Sequence, residues 1–310
     1  METIKILVVG AGAVGGYFGG RLLEKGEDVT FQVREKRKQQ LEERGLKVES
    51  INGNFTLRPK IIVAGESVEP YDVILVSTKA YHLDGVLDSI EPYVGDSTMI
   101  LPLLNGIAHV EVLQKRFGID RVIGGLCFVE STLDVNGTVI QKSPSHDLVF
   151  GELSGEQTER ILKLDEAFSG TKANIRRSDT IVRDMWHKYI FITTMSGVTS
   201  LMRAPIGPIR ETVGGQDTLT QFISEIVQVT RSLAAPVAEN IETITLDRVN
   251  QLGYEMKSSM QRDMEKGLPT EADHLQGYLF EAAGQKRIKV PLLQMIYGNL
   301  KVYENSRNQG

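Results

Sequence analysis

The sequence predicts an α/β domain over residues 1–178 followed by an all-α domain over residues 179–310. Three observations lead there. Lys5 to Gly20 reads as a strand, a glycine turn and a helix in that order. Apolar runs of strand length recur after it, at residues 28–33, 71–77 and 97–104. Near residue 178 such runs stop and long helical patterns take over.

The first element decides the class of the N-terminal domain. Ile6, Leu7, Val8 and Val9 form an uninterrupted apolar run, as in a parallel strand buried on both faces. Gly10, Gly12 and Gly15 follow at once, and Tyr17, Phe18, Leu22 and Leu23 then recur at helical spacing. Strand, G-x-G-x-x-G and helix together make the dinucleotide fingerprint of a Rossmann-type domain. Gly10 permits the tight turn, Gly12 lets a pyrophosphate approach the backbone, and Gly15 lets helix and strand pack closely. The turn Gly10-Ala11-Gly12-Ala13-Val14-Gly15 is therefore the candidate cofactor cradle. Its N–H groups and the helix dipole favour an anion there.

Residues 28–33 read as the second strand. A cofactor without a 2′-phosphate wants an acid about 20 residues past the glycines. This chain has Gln32, Val33 and Arg34 there, followed by Lys36, Arg37 and Lys38. A cation in place of the acid favours NADP(H). Arg34 is the candidate phosphate contact, because a guanidinium grips phosphate through two hydrogen bonds. Lys36 and Lys38 read as the solvated start of the next helix.

Asn52-Gly53 marks a hairpin-like turn, and Tyr71 to Ser77 is the next buried strand. Thr78-Lys79 end it, at the edge where ligands bind in open α/β sheets. Lys79 there is either a contact for cofactor phosphate or ribose, or a solvated loop lysine. The strand over residues 97–104 ends in Asn105-Gly106. That pair is either a plain turn or an amide placed to bind both cofactor and substrate. Residues 122–129 and 138–141 read as further strands around the Asn136-Gly137 turn.

In the second domain, residues 185–192 open a long helix, and residues 216–233, 243–267, 270–284 and 292–305 carry the rest. Pro269 and Pro291 stand at helix starts. Leu292, Met295 and Ile296 read as core rather than as a dimer face. A helical domain behind a dinucleotide domain leads to the expectation of substrate in the cleft between them.

Composition excludes several classes. The 310 residues are 41% hydrophobic and 24% charged, which fits a soluble globular protein. A net charge of −5, with no basic helix or aromatic platform, argues against nucleic acid. No apolar run approaches the ~18 residues of a membrane span. Cys127 is the single cysteine, so no intrachain disulfide forms, and it reads as a core thiol. With no signal peptide ahead of the first strand, the expectation is a cytoplasmic protein. His82, His109 and His146 lack metal-ligand spacing, so no metal is expected.

The N-terminal GAGAVGGYFGG, Lys79, Asn105-Gly106, Trp186-x-Lys188, Ser258-Ser259-Met260 and Thr270-Glu271-x-Asp273 share an order and spacing. In these the chain resembles the ketopantoate reductase (2-dehydropantoate 2-reductase) family along its full length. The resemblance implies reduction of a 2-keto acid by NADPH, giving pantoate on the route to pantothenate and coenzyme A. It implies Lys188 as general acid, and Glu271 as the acid that binds the substrate hydroxyl and helps frame the cofactor. It implies Asn105 as a contact to substrate and nicotinamide, and Ser259 as a hydroxyl on the substrate carboxylate. The chemistry agrees: hydride addition to a ketone builds negative charge on oxygen, so a proton donor must stand there. A partly desolvated ammonium, with its lowered pKa, suits that role.

The chain departs from the family pattern at Ile192 and Ser196, where the resemblance leads one to expect asparagines, and at Ile206. Ser196 stays a candidate substrate contact. An isoleucine cannot hydrogen-bond a hydroxyl or a carboxylate, and losing such a contact costs ~1–3 kcal/mol. The expected partner is thus a small 2-keto acid, ketopantoate or another, acted on by a monomer or homodimer. An NADPH-sensing regulator without catalysis is the alternative from another class.

Overall fold

The computed structural model describes residues 4–66 and 69–307. They form two compact units. One comprises Met1–Leu104 and His109–Val182, and the other comprises Asn105–Ala108 and Arg183–Gly310.

The first unit is built on two sheets. Its strands are β1 (Lys5–Val9), β2 (Asp28–Gln32), β3 (Leu46–Ser50), β4 (Phe55–Leu57), β5 (Lys60–Ile62), β6 (Tyr71–Val76), β7 (Val94–Pro102), β8 (Gly124–Leu133), β9 (Val139–Gly151) and β10 (Asn174–Arg177). Its helices are α1 (Ala13–Lys25), α2 (Glu35–Arg44), α3 (Leu83–Ile90), α4 (Ala108–Phe117) and α5 (Glu159–Phe168). The main sheet is parallel throughout in the order β5-β2-β1-β6-β7. The chain runs outward from β1 in both directions, so the order reverses between β1 and β6. That point is where an open α/β sheet receives its ligand, at the C-terminal strand ends.

The second sheet runs β10-β9-β3-β4, with β8 antiparallel to β9. It was not anticipated as a separate layer. Its β3 pairs with β9 between Val48 and Val139, far apart in the chain, so no local pattern announces it. Helix α1 lies between the sheets. Gly15 through Leu22 are all buried, and Tyr17, Phe18 and Leu22 share one apolar core with Val8, Phe31, Val48, Val139 and Phe150. Leu7, Ile74, Val76 and Ile100 pack the other face of the main sheet under α3 and α4.

The second unit is helical: α6 (Ile181–Met202), α7 (Ile206–Glu211), α8 (Gly215–Ser232), α9 (Ile241–Asn250), α10 (Ser259–Glu265), α11 (Tyr278–Lys286) and α12 (Pro291–Arg307). A π-helical segment, Asp273–Gly277, leads into α11. On α12 the expectation of a core stripe needs correction. Ile296 is buried and Leu292 half-buried, but Met295 is 53% exposed, because it lies on the face opposite Leu293, Ile296 and Leu300. No helix among the described residues is long and apolar enough to cross a membrane.

Candidate active site

In the first unit the site begins with the glycine turn. Gly10 has a left-handed φ of 94°, which disfavours a side chain. A Cβ on Gly15 would lie 2.1 Å from both the Gly10 carbonyl oxygen and Ser77 Oγ, so helix and turn can meet this closely only at glycine. Around Gly12 nothing lies within 4 Å of a Cβ position. Internal packing therefore does not require glycine there, and the open space suits an approaching ligand. No side chain caps the start of α1 at Gly12, so its leading N–H groups face outward to whatever binds.

The neighbouring strand ends hold this turn in shape. The Gly10 amide donates to the Gln32 carbonyl at 3.0 Å. The Ser77 hydroxyl is shared between the Val9 carbonyl at 2.9 Å and the Gly10 carbonyl at 3.1 Å. Ser77 is a positioning residue that sequence reading missed; its place one step past β6, opposite the glycine turn, was the available signal. Three buried polar atoms near these strand ends have no hydrogen-bond partner among the described residues: Gln32 Oε1, Thr78 Oγ1 and Arg37 Nη2. An open cradle beside orphaned donors and acceptors fits a dinucleotide cofactor.

Of the predicted cofactor residues, Ala11 is buried in the turn, and Ala13 and Val14 form the first residues of α1. Arg34 is exposed at the N-cap of α2. Lys79 is half-buried and precedes a short 3-10 turn, Ala80–His82, whose His82 amide donates to the Lys79 carbonyl at 2.9 Å.

The second unit gathers the predicted catalytic set. Asn105 belongs to it, and its Nδ2 lies 3.4 Å from Glu271 Oε2. Gly106, with φ 91°, packs against the same turn, where a Cβ would come 3.1 Å from the His274 carbonyl oxygen. Lys188 and Glu271 are each only 5% exposed. Ionisable side chains buried this far are concentrated at functional sites, so each is a candidate functional group.

Glu271 sits just before the π-helical segment, and both long helices beside it brace that region. From α12, Glu304 accepts from the Thr270 amide and from the Thr270 hydroxyl, both at 2.7 Å. Also from α12, Tyr297 donates to Asp273 Oδ1 at 2.7 Å and Lys301 to the same atom at 2.9 Å. Burial and this hydrogen bond to Asp273 push the Tyr297 hydroxyl up to about 12. From α6, Tyr189 donates to the Leu275 carbonyl at 2.6 Å. Gln276 Nε2 returns the contact, donating to Ser196 Oγ at 2.8 Å and to the Thr193 carbonyl at 3.1 Å.

Ser196 is thus buried and engaged by Gln276 rather than open to a ligand. Ile192 is half-buried on α6, one turn beyond Lys188, and Ile206 is fully buried. Ser259 is exposed as the first residue of α10. Its neighbour Ser258 caps that helix and pairs with Thr199 at 2.7 Å. The structure brings Asn105 and Glu271 together and leaves Ser259 on the surface.

Residues 6–155 match the family model "Ketopantoate reductase PanE/ApbA", and residues 180–304 match that of its C-terminal region. The chain belongs to the ketopantoate reductase family. It is 46% identical to the uncharacterized oxidoreductase YkpB of Bacillus subtilis, over 97% of this chain and 99% of that one. It is 27% identical to a 2-dehydropantoate 2-reductase of Pyrococcus horikoshii, over 97% and 98% of the two chains. The crystal structure of a 2-dehydropantoate 2-reductase from Geobacter metallireducens superposes with a TM-score of 0.87 at 29% identity, covering 96% of this chain and 99% of that one. As a member of the ketopantoate reductase family the chain is an oxidoreductase by class. The α/β unit followed by a helical unit is the architecture the sequence predicted.

Proposed function

We propose that this protein reduces a 2-keto acid with NADPH, with ketopantoate as the first candidate substrate and pantoate as its product. The observation that carries the reading is the Asn105–Glu271 pair at 3.4 Å, in a unit that also buries the Lys188 ammonium. A bound nicotinamide would supply the hydride to the ketone carbon. Lys188 gives a proton to the oxygen as charge builds there, so the ketone becomes an alcohol. Glu271 as a carboxylate is an acceptor only, which suits it to a substrate hydroxyl and not to the acid group. Asn105 offers both an amide donor and a carbonyl acceptor beside it. Gly10 to Gly15 would hold the pyrophosphate, with Arg34 and Lys79 as cations on the ribose-phosphate side.

A second substrate reading rests on Ile192 and Ser196. Ile192 places an apolar side chain one turn from Lys188, and Ser196 spends its hydroxyl on Gln276. Both favour a 2-keto acid with fewer hydroxyls than ketopantoate. The family and the soluble composition support a cytoplasmic enzyme, acting as a monomer or homodimer.

The test is NADPH oxidation at 340 nm with ketopantoate beside branched and unbranched 2-keto acids. Ketopantoate as the fastest substrate supports the biosynthetic reading. Another keto acid as the fastest moves the enzyme to a different pathway with the same mechanism. Tight NADPH binding with no turnover of any of them would favour a cofactor-sensing regulator.

A further inference from the structure

Gln276 lies in the π-helical segment and is fully buried. Its Nε2 donates to Ser196 Oγ at 2.8 Å and to the Thr193 carbonyl at 3.1 Å. Ser196 Oγ donates onward to that same carbonyl at 3.4 Å. These acceptors belong to a stripe along α6, where Tyr189, Thr193, Ser196 and Ser200 recur at helical spacing and are all buried. A helix face turned to the protein interior is ordinarily apolar. This one is polar, and it meets the π-helical segment through Gln276 and through the Tyr189 hydroxyl on the Leu275 carbonyl.

Stability alone does not call for an amide here. Gln276 Nε2 is used twice, but Oε1 is buried with no partner among the described residues. An unpaired buried acceptor is a cost that an apolar side chain of similar shape would not carry. What the amide supplies instead is register. Apolar packing tolerates sliding, whereas a donor aimed at one hydroxyl and one carbonyl specifies a single placement of the two elements. That placement bears on the proposed chemistry. Lys188 stands on α6 about two turns before Ser196, and Glu271 stands shortly before Gln276. The His274 and Leu275 amides donate to the Glu271 carbonyl at 3.1 Å and 3.0 Å, so the segment that holds Gln276 is bonded directly to the backbone of Glu271.

We propose that Gln276 is a positioning residue for the reduction: its clasp on Ser196 and Thr193 fixes the turn bearing Glu271 in register with the helix bearing Lys188. This rests on the reading that the chain is a keto acid reductase. Gln276 touches no reacting atom and acts through Ser196 and the turn. Alignment is worth this much attention because misplacing a reacting or binding group by about 1 Å can cost ~10²-fold in rate. The unpaired Oε1 then marks a place where stability is given up for alignment, as happens near working sites.

The test separates rate from stability. Steady-state kinetics with the 2-keto acid that wild type reduces fastest, NADPH dissociation constants and thermal melts are measured on wild type, Gln276→Met, Ser196→Ala and the double variant. Gln276→Met keeps much of the shape and loses the amide. Its melting temperature should stay within about 2 °C of wild type or rise. Its kcat should fall by roughly 10- to 100-fold while NADPH affinity holds within about threefold. Ser196→Ala leaves the amide its second acceptor and should lose less, about three- to tenfold in kcat, and the double variant should be no slower than Gln276→Met alone. An unchanged kcat in Gln276→Met would overturn the proposal. So would a kcat loss matched by a lower melting temperature and weaker NADPH binding, which would make Gln276 a packing residue. Additive losses in the double variant would overturn it too, because Gln276 would then not act through Ser196. Wild type that turns over no keto acid would remove the reductase reading and the proposal with it, an outcome told apart from the others before any variant is made.

Discussion

The Tyr189 hydroxyl donates to the Leu275 carbonyl at 2.6 Å. Tyr189 adjoins Lys188 on α6, and Leu275 lies in the π-helical segment just after Glu271. One hydrogen bond thus ties the element bearing the proposed proton donor to the turn bearing the carboxylate. π-Helical segments concentrate at functional sites, and this one is braced from both α6 and α12. Tyr189→Phe leaves a buried carbonyl without its donor and should cost about 1–3 kcal/mol of stability in urea unfolding. It should also lower kcat with little change in NADPH affinity. A stability loss with kcat untouched would make the tie purely structural.

Lys188→Met removes the proton donor while filling much of the same space. Turnover should fall by roughly 10²- to 10⁴-fold, the usual worth of general acid catalysis. The dissociation constant for NADPH should stay within about threefold, because the glycine turn is untouched. Retained turnover would require another acid.

The glycine turn offers a steric test. Gly15→Ala puts a methyl 2.1 Å from the Gly10 carbonyl and from Ser77 Oγ. The serine can be trimmed but the backbone oxygen cannot. Gly15→Ala should therefore abolish measurable cofactor binding, and adding Ser77→Ala should not restore it. Recovery in the double variant would show that only the serine had stood in the way.

Acid should weaken the helical unit through His187. Its Nε2 accepts from the Ala238 amide at 3.1 Å, which needs a neutral ring. Burial, then the nearby Arg183 charge, lowers its pKa, with Asp184 opposing. The unfolded chain therefore binds the proton first. The stabilising contribution is complete above the unfolded value near 6.5 and is lost as pH falls below it toward the folded value. Melting temperatures between pH 7.5 and pH 5 should fall less for His187→Gln than for wild type. Parallel curves would remove His187 from the acid response.

Much of the site was legible because its signals are local. Strand, glycines and helix follow one another without interruption from Lys5 to Leu23, so the strand–turn–helix unit could be read directly. The helical unit announced itself by periodicity. Arg21 was not legible. It is fully buried, held by Glu24 at 2.7 Å and the Gly53 carbonyl at 2.9 Å, and stacked on Tyr17 and Phe55. An arginine on a glycine-rich helix gives no sign that a second sheet will cover it. Ser196 and Gln276 were equally silent, since their pairing spans two helices distant in the chain.

The amino-acid sequence alone determined the fold class, the strand–glycine–helix turn and which residues are candidates for proton transfer. These depend on steric limits and hydrophobic periodicity, which act over a few residues. Only the tertiary structure decided which of those residues meet. Asn105 and Glu271 are 166 positions apart and stand 3.4 Å from each other. Arg37, among four neighbouring cations, is the one whose guanidinium is drawn against the glycine turn. Ser259, which the motif offered, is left in solvent. Burial and hydrogen-bond partners are properties of surfaces brought together by folding, and short-range pattern carries no record of them.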